Sequence, residues 1–310
     1  MFGRKQNSDL VAVQILRDRI DVARIARGAA ARPVVETCES FHLEGGTIES
    51  LGRARRDLRL DRYRCSTLLA TGEYQLQVLD APSVPEAEVK QAVRWRLKDV
   101  LDYPVEGATV DVLSLPGNGG GQSRSRSVIA VAAHNEVIAG RMGQFSEARV
   151  PLAVIDIPEM AQRNLAALFE VNGRGLAMLS FDQERGLLTF TAAGELYLSR
   201  SIEVGYTQLL MADAEQKTQL FDRIVLELQR SLDHFDRQFS AVPVAKVLVA
   251  PMPDDVGLEK YLMENLYVPV QTAALDTVMD MDKVPGLSNS AAQAQHFLNL
   301  GAALRSAASA

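Results

Sequence analysis

The 310-residue chain has little of what most reactive sites are built from: two cysteines, four histidines and a single tryptophan. Cys38 and Cys65 share no C-x-x-C spacing, and His42, His134, His234 and His296 are scattered, so neither a disulfide framework nor a metal site is indicated. No run approaches the ~18 apolar residues that a membrane span needs. The opening MFGRKQNSDL carries charge with no apolar stretch behind it, so it does not read as a secretory signal. These absences point to a cytoplasmic protein that meets a membrane only through a partner. The formal net charge is −6, from 33 basic and 39 acidic side chains, which gives no reason to expect nucleic acid. Two short basic clusters stand out, residues 53–64 and Arg124-Ser125-Arg126, and they read as solvated faces or as local contacts to a membrane or partner.

Glycine motifs for phosphate are missing as well: the chain holds neither GK[ST] nor GxGxxG between a strand and a helix. The glycine-rich stretch PGNGGGQSRSRS (residues 116–127) reads instead as a mobile hairpin tip, because Gly, Ser and Arg bury too little to order it.

What is present is a duplicated strand pattern. Residues 175–205, GLAMLSFDQERGLLTFTAAGELYLSRSIEVG, alternate as three antiparallel strands with turns at 182–186 and at Ala193-Gly194. A near copy opens the chain, where LVAVQIL (10–16), an Arg17-Asp18-Arg19 turn and IDVARIA (20–26) repeat strand, acidic turn, strand. Two such hairpins half a chain apart predict a duplicated two-domain α/β fold, with domains over residues 1–172 and 173–310. Between them, residues 82–149 read as helix, strand, strand, helix, an inserted subdomain whose first helix has Ser83 as expected N-cap and runs to about Leu101. Thr47 is the expected N-cap of an earlier helix over 47–60. The longest periodic helix covers 216–239, with Phe221, Ile224, Val225, Leu228, Leu232, Phe235 and Phe239 on one face and Glu227, Arg230, Ser231 and His234 on a flank. A β-α-β unit over 246–272 and a closing helix over 291–306 complete the chain.

Several stretches resemble one family. VLELQRSLDHFDRQF (225–239) is similar to the E-x-x-R-S-L-x-F helix of the PilM-type proteins of type IV pilus assembly. VPEAEVKQAVRWRLKDVLDYPVEGATVDV (84–112) resembles their inserted subdomain, IDIPEMAQRNL (155–165) their v-D-v-x-x-x-A-x-x-R stretch, and FLNLGAALR (297–305) their terminal A-L-G-L-A-L-R. Weakened nucleotide motifs bring the chain nearest to the branch that serves mannose-sensitive haemagglutinin pili. The resemblance implies an actin-like fold related to FtsA, and a place at the cytoplasmic side of the inner membrane. It also implies a partner: the short N-terminal cytoplasmic peptide of a single-span, PilN-like membrane protein, held in a groove between the first domain and the insert. Trp95, Arg96, Tyr103 and Val105 are the candidate groove residues, since an aromatic beside cations suits an amphipathic or acidic-apolar peptide.

The cofactor that the resemblance implies is ATP with magnesium, and here the chain departs from the family pattern. The family's D-I-G of the first hairpin is Val13-Gln14-Ile15, that of the second is Ser180-Phe181-Asp182, and A-G-G is replaced by Ala250-Pro251-Met252-Pro253-Asp254-Asp255. The prolines lack N–H donors, and the two acids read as capping the next helix and repelling phosphate. Asp182 reads as a turn residue or a displaced metal carboxylate. Glu227, Arg230 and Ser231 fall where relatives contact ribose and base, and equally read as an i,i+3 ion pair with a helix-surface serine. Two functions follow: a docking scaffold without catalytic residues, or an ATP-binding switch that gates partner affinity.

Overall fold

The computed structural model describes residues 10–27, 32–116, 127–171 and 173–305. The expected glycine-rich hairpin tip lies almost entirely outside them. The first sheet has the order β3-β2-β1-β4-β8, built from β1 (Leu10–Ile15), β2 (Arg19–Ala26), β3 (Val34–His42), β4 (Arg64–Leu68) and β8 (Leu152–Asp156). Its opening hairpin is antiparallel, Val13 opposite Val22, while β4 and β8 run parallel to β1. The second sheet repeats the layout as β11-β10-β9-β12-β13. Its strands are β9 (Gly175–Phe181), β10 (Gly186–Ala192), β11 (Glu195–Ile202), β12 (Val244–Val249) and β13 (Val270–Thr272), with β12 parallel to β9.

The reason each hairpin forms is the alternation. In β2, Ile20 and Val22 turn to one face and Ala23 and Ile25 join a separate core on the other. Helices α1 (Thr47–Leu58) and α3 (Asn135–Glu147) cover the first face, where Leu51, Ala54 and Phe145 pack on Val11, Val13 and Val22. The Ala23 face is covered by α4 (Pro158–Ala166) and the closing helix α8 (Ser290–Ala303). That core also takes Leu176 and Met178 of β9 and Leu248 of β12, so α4 and α8 lie between the two sheets. Gly301 marks their crossing: a Cβ there would stand 2.2 Å from the Ala161 carbonyl oxygen. By sequence α8 belongs to the second half, whereas its packing ties it to β1 and β2 of the first.

The second half has its own core beneath α6 (Ala214–Gln238), which presents Phe221, Ile224, Leu228, Leu232 and Phe235 at three- and four-residue steps. Asp213 caps it, accepting the Gln216 N–H at 2.9 Å. Helices α5 (Tyr206–Met211) and α7 (Leu258–Asn265) flank this core.

The chain leaves the first sheet at the end of β4 and returns to it with α3, so the inserted unit differs from the expected 82–149: it takes in a strand ahead of residue 82, and α3 packs on the first sheet. The three-stranded sheet β5-β7-β6 comprises β5 (Tyr74–Asp80), β6 (Ala108–Ser114) and β7 (Ser127–His134), covered by α2 (Glu86–Leu97). Two capping expectations are corrected. Gly46, at φ 100°, precedes α1, leaving Thr47 inside the helix, and Pro85 rather than Ser83 stands at the start of α2. Likewise α2 stops at Leu97, four residues short of the expected end.

Candidate functional site

The loop after β4 meets the turn after β9 between the two halves, Thr71 against Asp182, and Tyr206 joins that turn to the one after β12; this junction is the cleft. The β9–β10 turn opens on Asp182, whose Oδ1 accepts the Glu184 and Arg185 N–H groups at 2.8 and 2.7 Å. This is the self-satisfying turn residue, with backbone donors that a phosphate would use already taken up by the chain's own carboxylate. Across the cleft, the Thr71 hydroxyl donates to Asp182 Oδ2 at 3.4 Å. Behind the turn, Gly205 approaches so closely that a Cβ would lie 2.2 Å from the Glu184 carbonyl carbon, and Tyr206 N–H donates to Asp182 O at 2.8 Å.

The turn after β12 is filled in the same way. Tyr206 Oη donates to Asp254 at 2.6 Å, burial and then this bond pushing its hydroxyl pKa up to about 12, and Asp255 accepts the Gly257 N–H at 2.8 Å. The expectation that these two acids cap the next helix is therefore corrected. Gly257, in the left-handed region at φ 83°, holds the N-cap position of α7 without side-chain help, and the acids bind ahead of it. At the opening hairpin, Leu16 N–H bonds Arg19 O at 2.8 Å in a turn without glycine. None of these three turns presents the glycine-lined ring of free donors that a nucleotide's phosphates need, so ATP with magnesium does not fit them.

The floor of the cleft is a set of buried polar contacts. Gln162 on α4, wholly buried, donates to Met178 O at 2.8 Å and Thr189 Oγ1 at 2.9 Å and accepts from Ser180 Oγ at 2.5 Å, pinning α4 to β9 and β10. Tyr74 Oη donates to Glu159 at 2.7 Å; burial raises the pKa of both groups. Asp156, buried at the end of β8, accepts the Ile157 N–H at 2.9 Å and pairs with Arg305 just beyond α8. Sequence reasoning passed over Gln162, Glu159 and Arg305 as individuals, although IDIPEMAQRNL and FLNLGAALR contain them. Their signal was polar residues set inside otherwise apolar helical faces.

The adenosine-side candidates do not converge. Glu227, half-buried, and Arg230, exposed, pair with each other on α6 at 3.2 Å, while Ser231 is buried beneath the helix.

The inserted subdomain offers a different surface. On α2, Val93 and Leu97 face the subdomain core and Trp95 points outward, 66% exposed. Arg96 beside it is exposed and donates to Asp80 O at 2.5 Å. Tyr103 stacks on His134 with ring centroids 3.5 Å apart, and Arg94 holds the following loop through Val105 O at 2.8 Å. Val105 itself is buried among Val93, Leu97 and Val110, so its part is packing. Val84 and Val100, at the two ends of α2, are also exposed. Trp95 and Arg96 are thus accessible, Tyr103 is half-buried, and Val105 belongs to the core.

No family model matches the chain, and no curated protein matches it. Among solved structures it is similar to the PilM-PilN type IV pilus biogenesis complex, at 18% identity and a TM-score of 0.74, over 97% of this chain and 99% of that one. A Bacteroides thetaiotaomicron protein with an actin-like ATPase fold aligns at 9% identity and a TM-score of 0.51, over 90% of this chain and 95% of that one. The duplicated sheets, the inserted three-stranded unit and these likenesses together establish an actin-like α/β fold.

Proposed function

We propose that this chain is a PilM-like scaffold of type IV pilus assembly, at the cytoplasmic face of the inner membrane. Its partner is the short N-terminal cytoplasmic peptide of a PilN-like single-span protein. The observation that carries the reading is the end-to-end likeness to the chain of the PilM-PilN complex, insert included. The chain's only tryptophan, exposed on the helix of that insert, supports it. A solvated indole beside Arg96 gives an apolar anchor and a cation, which suit a peptide with apolar and acidic side chains. The weakened nucleotide motifs further support the branch that serves mannose-sensitive haemagglutinin pili.

In this reading the chain works without ATP: Asp182 and Asp255 occupy donors that phosphate would need. The test is calorimetric titration of the full chain with a synthetic peptide of the PilN-like protein's cytoplasmic residues. Saturable binding that Trp95→Ala weakens at least tenfold is the expected result. Absence of binding, or equal affinity in the variant, would refute the docking site.

A further inference from the structure

The pole of the first half opposite the cleft is an arginine surface. β1 and β4 start side by side there, Leu10 opposite Arg64, and β8 starts beside β4, Leu152 opposite Cys65. Since α1 leads into β4 and α3 into β8, both helices end at this pole, and β2 finishes there, Arg24 opposite Val11. The topology thus gathers Arg27, Arg56, Arg59, Arg62, Arg64 and Arg149 from five separate places in the fold. All but the half-buried Arg64 are exposed, and among the described residues none has a carboxylate within ion-pair distance. Exposed acids share the pole, Asp57, Asp61 and Glu147 among them, and Asp276 and Asp282 flank it where Arg32 and Pro33 lead into β3.

Helix dipoles explain only part of this. Arg55 and Arg56 fall in the last turn of α1 and complement its negative end. Arg62 and Arg64 follow the helix, and Arg27 belongs to another part of the sheet. In a chain of net charge −6, a cationic excess confined to one end carries a repulsion that an anionic surface would relieve.

We infer that this pole docks directly on anionic phospholipid headgroups. Guanidinium groups bind phosphate oxygens in bidentate fashion, and arginines spread over the ends of several elements match an array of headgroups. A nucleic acid suits it less: a long polyanion would run past the pole onto an acidic body, and Tyr63, the aromatic ring here, lies under the Arg24 guanidinium at 5.3 Å. Trp95 belongs to the inserted subdomain and Met211 and Tyr267 to the second half, none of them to the elements that end at this pole, and the arginines supply the attraction, so the contact is electrostatic, reversible and salt-sensitive. It leaves the cleft turned from the bilayer and adds a second, partner-independent attachment to the one proposed on α2.

Co-sedimentation of the full chain with vesicles, in the absence of any partner, tests it. Vesicles with about 30% phosphatidylglycerol should retain the protein at low salt and release it at about 0.5 M, where screening reaches only ~4 Å, and phosphatidylcholine vesicles should not retain it. Arg56→Glu/Arg59→Glu/Arg62→Glu should weaken retention by roughly a hundredfold, and single Arg62→Glu, the variant least able to disturb folding, by about tenfold or less. Arg200→Glu/Arg223→Glu/Arg237→Glu, which shifts the net charge as the triple variant does from exposed sites on the second half, should leave it unchanged. The inference is overturned by no retention on anionic vesicles, by equal retention on neutral ones, or by both Arg62 variants behaving as wild type. It is equally overturned if the second-half control loses as much, or if a DNA duplex binds more tightly than the vesicles at the same salt.

Discussion

The cleft and the outer face of α2 are opposite cases of how polar and apolar demand is met. Around the cleft, Asp182, Asp255, Gln162 and Tyr206 each satisfy a neighbour within the chain. On α2 the largest side chain in the protein stands in water. An internally completed site has nothing to offer a phosphate, whereas an exposed indole loses apolar hydration when a partner covers it. Between the two regions, the proposed docking site is the one where demand is left unmet.

The contrast is most severely tested where the halves are sewn together. Gly301→Val should destabilise by about 3 kcal/mol or more, because its side chain would collide with the Ala161 backbone and force α8 off α4. Denaturant unfolding measures this; a loss below ~1 kcal/mol would show that α4 and α8 do not hold the halves as described. Gln162→Ala strands Met178 O, Thr189 and Ser180 in a buried setting and should lose about 2 kcal/mol by the same measurement.

On the other region the expectation reverses. Trp95→Ala should change stability by less than about 0.5 kcal/mol while weakening peptide binding at least tenfold. A large stability loss would mean that the indole is structural.

The smallest expected effect lies at the edge of the cleft. His296, buried on α8, has its Nδ1 3.9 Å from Asp21 Oδ2, with Arg19 at Asp21 and Gln295 adjacent. Burial is the leading cause of its lowered pKa, ahead of the opposing pull of Asp21. A depressed folded-state pKa means that the unfolded chain takes up the proton first as pH falls. The stability contribution is thus present above the ordinary histidine value of about 6.5 and is lost as pH drops through the folded value. His296→Gln should flatten this part of the stability–pH curve, read from unfolding midpoints across pH; an unchanged curve would assign the dependence elsewhere.

The fold was legible because its signals are periodic. Strand alternation at 10–26 and 175–205 and the three- and four-residue steps of α6 depend only on which side of an element is buried. Capping was less legible: Thr47 and Ser83 are good cap residues by type, yet the chain enters α1 through a positive-φ glycine and α2 through a proline. The cleft was half legible. Missing glycines and the two prolines showed in the sequence, but that Tyr206 would reach both Asp182 and Asp254 depends on a meeting of residues 24 to 48 positions apart. Ser231 shows the same limit, since its flank position on α6 did not reveal that the helix rolls it under.

The central claim is that the cleft is complete and the α2 face is not. Thermal unfolding of the wild-type chain, recorded in parallel with Mg-ATP and with the partner peptide, tests it most directly, because a ligand that binds only the folded state must raise the midpoint. The account predicts a midpoint unmoved by Mg-ATP and raised in proportion to peptide concentration. A rise with Mg-ATP and none with the peptide would contradict it.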